Sequence, residues 1–139
     1  MKIFISHKFR GVNVQDLREK LERISFILEK SGHKTFIYFR DREKWQKRNF
    51  PFGQVILEAF KQIKKCDILF GFIDSQEMSE GMLLEIGFAK ALNKKIILLI
   101  SKKCSFPIIE AISDQVIKFN DIKQIDKELL KIKFKLNIK

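Results

Sequence analysis

Three short runs constrain the architecture most. "KIFIS" (2–6), "CDILFGFI" (66–73) and "KIILLI" (95–100) are apolar without alternation. Strands of that kind have no side for water and need cover on both faces. The segments between them have helical period. Leu17, Leu21, Ile24 and Leu28 recur at spacings of four, three and four, which predicts a helix from Val14 to Ser31 closed by Gly32. Residues 52–65 place Ile56, Ala59, Phe60 and Ile63 on one face, and a third helix is expected over 79–92. "KTFIYF" (34–39) reads as a strand, followed by a polar loop "RDREKWQKRNFPFG". A short helix (107–112), a weak strand "QVIKF" (115–119) and a last helix (122–133) complete the chain. Strand–helix alternation of this kind implies an α/β fold: one flavodoxin-like, doubly wound domain with a five-stranded parallel sheet ordered 2-1-3-4-5 and helices on both faces.

The 139 residues, 45% hydrophobic with 14 Phe, suffice for one core, and no repeat or linker divides them. No apolar run reaches the roughly 18 residues of a membrane span, and "MKIFIS" passes directly into polar "HKFRG", so a cytoplasmic protein is expected. Cys66 and Cys104 lack metal or redox spacing and are expected as reduced thiols; His7 and His33 receive no role. No metal or other cofactor is implied, because His, Cys and Asp do not cluster. The net charge of +11 is scattered over helix ends and loops, so nucleic acid is not the expected partner. The basic stretch "KELLKIKFKLNIK" reads as a solvated terminal helix with a tail.

In doubly wound sheets the ligand lies beyond the carboxyl ends of the strands, where the strand order reverses. That rule brings together "SHKFRGVN", "RDREKW" and "DSQEMSEG", the last leading into Glu85. Glu85 stands among Met82, Leu83, Leu84, Ile86 and Phe88, where an unpaired carboxylate is costly unless it faces solvent or a working cavity. Ser79 is a good N-cap, the first-turn amides form an anion site, and Gly81 permits close approach of a ligand. A carboxylate a turn and a half deeper, held beside the sugar of a nucleoside, can attack the anomeric carbon. Alternatively, Glu85 faces solvent and pairs with Lys90 or a neighbour.

The segment "GMLLEIGFAKALNKKIILLI" resembles the signature of the nucleoside 2-deoxyribosyltransferase superfamily. That superfamily includes 2'-deoxynucleoside 5'-phosphate N-hydrolases and cytidine-monophosphate hydrolases. The matching residues are Gly81, Glu85, Ile86, Gly87, Ala89, Asn93 and Lys94. "FISHKFRG" is similar to the family's opening strand and substrate loop, "KKCDILFGFID" to its third strand, and "DREKW" to a loop of the cytidine-phosphate hydrolases. The resemblance implies cleavage of an N-glycosidic bond in a nucleoside or its 5'-monophosphate, with Glu85 as nucleophile. It implies that Phe9, Arg10, Gly11, Ser79 and Gly81 line the substrate site, the last four at the 5' end, and that Arg40, Asp41 or Trp45 meets the base. Asp74, at a strand end, is a further substrate-binding candidate beside an ordinary cap or turn role. A homodimer or larger homo-oligomer is also implied.

One position departs from the family pattern. An Asp expected eight residues before Asp67 is Ala59 here, and Glu58, turned by about 100° on the helix, is the candidate replacement. That departure keeps open a nucleotide-binding module without turnover. "IFISHK", "SGHKTFIYFRD" and "SEGMLLEI" also resemble Toll/interleukin-1 receptor domains, some of which cleave NAD through a glutamate in the corresponding place. Gly87, Ala89 and the lack of a "WC" pair favour the first resemblance.

Overall fold

A computed structural model of the chain describes residues 1–130 and Ile132. Its element order is β1 (Lys2–His7), α1 (Val14–Lys30), β2 (Lys34–Phe36), α2 (Tyr38–Asp41), α3 (Phe52–Lys65), β3 (Ile68–Ile73), α4 (Glu80–Ala91), β4 (Lys95–Ser101), α5 (Pro107–Ala111), β5 (Gln115–Phe119), a 3-10 turn (Ile122–Gln124) and α6 (Ile125–Leu130). The strands form one sheet in the order β2-β1-β3-β4-β5, and each adjacent pair is parallel. This is the doubly wound order expected from the sequence.

The unalternating strands explain the two cores. Ile3 and Ile5 of β1 face α1 and α6, packing with Leu17, Leu21, Ile24, Leu28, Ile125 and Leu129. Phe4 faces the other way, toward Ala59 and Ile63 of α3 and Met82, Ile86 and Ala89 of α4. Each large aliphatic side chain buried this fully is worth about 1.5–3 kcal/mol relative to exposure. All six residues of β3 are buried, so the central strand has no wet face.

The helix boundaries follow from local chemistry. Asn13 caps α1 by accepting the Asp16 N–H. At the other end Gly32, at φ +95, donates to Glu29 O while His33 donates to Leu28 O, a Schellman closure. Helix α4 ends the same way with Asn93 at φ +59 in the glycine's place.

Two expectations change. The strand read over 34–39 stops at Phe36, because the Asp41 carboxylate accepts the Ile37 N–H at 2.9 Å and the chain turns into α2. The last helix starts as a 3-10 turn and continues as α6 to Leu130. The expected remainder of that helix and the basic tail lie outside the described residues, apart from buried Ile132. Cys66 and Cys104 are free and buried, and burial pushes the Cys66 thiol up to about 11, where it stays protonated. No described helix is long and apolar enough to cross a membrane. No group of three potential metal ligands occurs among the described residues.

Candidate active site

Helix α4 begins at the carboxyl end of β3. Ser79 caps it, its hydroxyl accepting the Met82 N–H at 3.3 Å, as the sequence suggests. Gly81 has room above it, since an added Cβ would meet only Ser79 Oγ at 3.6 Å. A turn and a half further, the Glu85 carboxyl turns into the protein. Ser6, buried near the end of β1, donates its hydroxyl to Glu85 Oε1 at 2.6 Å. The solvent-facing alternative, a pair with Lys90, is therefore not what the fold adopts.

Backbone registry sets up this contact. Ser6 pairs across the β1–β3 ladder with Gly71. A Cβ on Gly71 would approach Leu98 Cδ2 to 2.8 Å and touch Met82 Cε at 3.8 Å. Glycine thus keeps this part of the sheet low beneath α4. Enclosure disfavours the charged carboxylate and pushes Glu85 up to about 7 from an ordinary value near 4.5; the Ser6 hydrogen bond opposes the rise. A carboxyl poised there is half ionised at neutral pH, a condition suited to acid–base or nucleophilic work.

The loop after β1 carries the remaining candidates on that side. Gly11 occupies the left-handed region at φ +67 in a turn where a side chain would be strained. Arg10 is exposed, its guanidinium lying 4.3 Å from the centre of the Phe52 ring at the start of α3. Among the described residues it makes no ion pair, so its fork of donors stays available. Phe9 is partly buried, edge-on to Phe39 with ring centres 4.8 Å apart, and Lys47 Nζ sits 5.2 Å above its ring. Lys8 forms an ion pair of 3.0 Å with Glu77, tying this loop to the loop before α4. Asp74 pairs with Lys20 at 2.8 Å and lines a small cavity of about 130 Å³ with Lys8, Asn13, Asp16 and Phe72.

The loop after β2 is different. Arg40 spends its guanidinium on Thr35 O, Thr35 Oγ1, Glu29 and Asp41, while Asp41 also holds the Ile37 N–H. Trp45 packs edge-on to Phe39 at 5.5 Å, with Arg18 over its ring. All three side chains are thus engaged within the protein. Glu58, the candidate replacement for the missing aspartate, is already engaged. It pairs with Arg42 at 2.9 Å and accepts from Gln62, lining a groove of about 620 Å³ with Tyr38, Phe50 and Lys61. Ala59 points into the core instead. Neither of these two cavities is lined by Glu85.

Sequence reasoning missed Ser6. The available signal was a polar residue closing an otherwise apolar strand, two positions beyond Phe4 and so on the face that α4 covers.

Comparison with known proteins identifies the family and the fold. The family model described as nucleoside 2-deoxyribosyltransferase matches residues 9–128. The fold is similar to that of the CMP N-glycosidase of Clostridium botulinum, with a TM-score of 0.68, 23% identity and coverage of 93% of this chain and 97% of that one. It is also similar to the 2-deoxyribosyltransferase of Bacillus psychrosaccharolyticus, with a TM-score of 0.64, 24% identity and coverage of 96% and 93%. The 2-deoxyribosyltransferase of Leishmania mexicana aligns with a TM-score of 0.58 at 16% identity, over 79% of this chain and 69% of that one. Comparison with curated protein sequences gives no match. Of the two resemblances in the sequence, the family match upholds the first: the chain belongs to the nucleoside 2-deoxyribosyltransferase family.

Proposed function

We propose that the protein cleaves the N-glycosidic bond of a nucleoside or nucleoside 5'-monophosphate, with Glu85 as nucleophile. The single observation that carries this reading is the inward-turned Glu85 carboxyl, bonded to Ser6 at the switch point of the sheet in a chain of this family. One carboxylate oxygen bonds to the anomeric carbon as the bond from that carbon to the base nitrogen breaks. The electron pair leaves with the base, which takes a proton from solvent. Water or a second base then attacks the same carbon, the ester bond to Glu85 breaks, and the electron pair returns to the carboxylate.

A 5'-phosphate preference follows from Arg10, whose guanidinium makes no ion pair among the described residues and lies over the Phe52 ring, with donors free for bidentate contact with an anion. The similarity to a CMP N-glycosidase points the same way. A dimer or larger homo-oligomer is part of the reading. Helix α4 has apolar residues beyond its packed face, with Met82, Ile86 and Ala89 buried while Leu83 and Leu84 are left exposed. The expected location is the cytoplasm.

Ala59 favours a second reading, a nucleotide-binding module without turnover, because no carboxylate occupies that position of α3. Incubation with a panel of nucleosides, their monophosphates and NAD, with free base followed by chromatography, separates the two. Base release by the wild type and none by Glu85→Ala supports the enzyme. Saturable binding of a ligand without base release from any member supports the module, and release from NAD alone redirects the substrate assignment.

A further inference from the structure

We infer that Ser6 is the positioning residue of the nucleophile: by holding Oε1 of Glu85 it leaves Oε2 as the attacking atom, and it acts most strongly when the covalent intermediate is resolved. The inference rests on the proposed function and assigns a division of labour within that site. It starts from geometry. Ser6 and Glu85 are 79 residues apart in sequence, yet their 2.6 Å contact is a short hydrogen bond between a buried hydroxyl and an enclosed carboxyl. The elements packed around this side of α4 otherwise offer apolar groups: Phe4 from β1, Ala59 and Ile63 from α3, Leu69 and Ile73 from β3, and Leu98 from β4. His7, the next residue on β1, alternates to the opposite face, with Nδ1 against Lys8 O and its ring near Phe9. No charged group contributes to the Glu85 shift, whose causes are burial, which raises it, and the Ser6 bond, which lowers it.

The consequence differs between the two chemical steps. When Oε2 bonds to the anomeric carbon and the base departs, negative charge leaves the carboxylate and Oε1 becomes an ester carbonyl. The Ser6 bond weakens, so the hydroxyl gives this step no help. In the second step water bonds to the anomeric carbon and gives a proton to solvent, the ester bond breaks, and its electron pair returns to Glu85. The Ser6 donor strengthens as that charge develops and stabilises the leaving carboxylate. A residue acting this way moves the partition between the steps and the titration of Glu85, which a merely structural serine would not.

The test compares wild type, Ser6→Ala, Ser6→Thr and Glu85→Gln. Base release is followed before and after the first turnover, and the Glu85 carboxyl is titrated by carbon NMR through the resonance that vanishes in Glu85→Gln. In Ser6→Ala we expect a burst of base stoichiometric with enzyme, then steady turnover slowed roughly 10- to 100-fold. Its Glu85 resonance titrates at higher pH, and Ser6→Thr, which keeps the hydroxyl, restores both readouts. Wild-type turnover together with an unmoved titration in Ser6→Ala overturns the inference, even where Glu85→Gln is inactive and the enzyme reading stands. Undiminished release by Glu85→Gln overturns both. Should no variant release base, a raised Glu85 titration in Ser6→Ala still supports the hold by Ser6, and an unchanged one refutes it.

Discussion

The loops after β1 and β2 both attract a functional reading, since both are polar, both leave the carboxyl end of a strand, and both hold arginine near an aromatic residue. They differ in how their polar groups are used. Beyond β2, Arg40 makes contacts with three residues and Asp41 closes the turn into α2, so little donor capacity is left for a ligand. Beyond β1, Arg10 touches only an aromatic ring among the contacts described, and just before that loop, within β1, Ser6 reaches a carboxyl that burial has made difficult to ionise. A residue type in a loop is therefore weak evidence of function. What separates the two loops is whether the fold has already satisfied the group.

The comparison is broken most sharply at Glu85. Glu85→Gln keeps the shape and removes the nucleophile, so base release is expected to fall about a thousandfold or more, measured by chromatography on the best substrate. The same variant sharpens the comparison through stability. The folded protein holds the Glu85 proton more tightly than the unfolded chain does, since its pKa is raised from 4.5 to about 7. The stabilisation this gives is fully present below pH 4.5 and is lost as pH rises through 7. At 1.36 kcal/mol per unit, that loss is roughly 3 kcal/mol as an upper bound. Urea unfolding at pH 8 should therefore find Glu85→Gln more stable than wild type, and the two alike near pH 4.5.

Arg40→Ala tests the other loop. It is expected to cost about 2 kcal/mol of stability in the same unfolding assay, with turnover per folded molecule unchanged. Activity lost in proportion to Glu85→Gln would return Arg40 to the site. The smallest effect belongs to Arg10→Ala: kcat/KM for a nucleoside 5'-monophosphate drops about tenfold while that for the parent nucleoside and the melting temperature hold. An equal loss on both substrates would remove the phosphate role.

Most of the fold was legible because it rests on period and punctuation. The Leu17–Leu28 spacing located α1, Gly32 marked its end, and unalternating strands forced two-sided cover. The strand at 34–39 was overread because Ile37, Tyr38 and Phe39 have β-forming side chains, whereas a side-chain bond from Asp41 decides the turn. In the site, Glu85 was legible as a charge in apolar company and Ser79 as a cap. Ser6 was not, since its role depends on a partner 79 residues away and on the pairing of β1 with β3. The surroundings of Trp45 and Glu58 were illegible for the same reason: they are fixed by packing against Phe39 and pairing with Arg42.

The most direct test is the pH dependence of base release between pH 5 and 9, for wild type and Glu85→Gln. An enclosed nucleophilic carboxylate predicts that wild-type kcat/KM climbs about tenfold per pH unit up to a break near 7 and is level beyond it, while release by the variant stays about a thousandfold or more below the wild-type plateau and shows no such break. Release by Glu85→Gln at the wild-type rate would contradict the account.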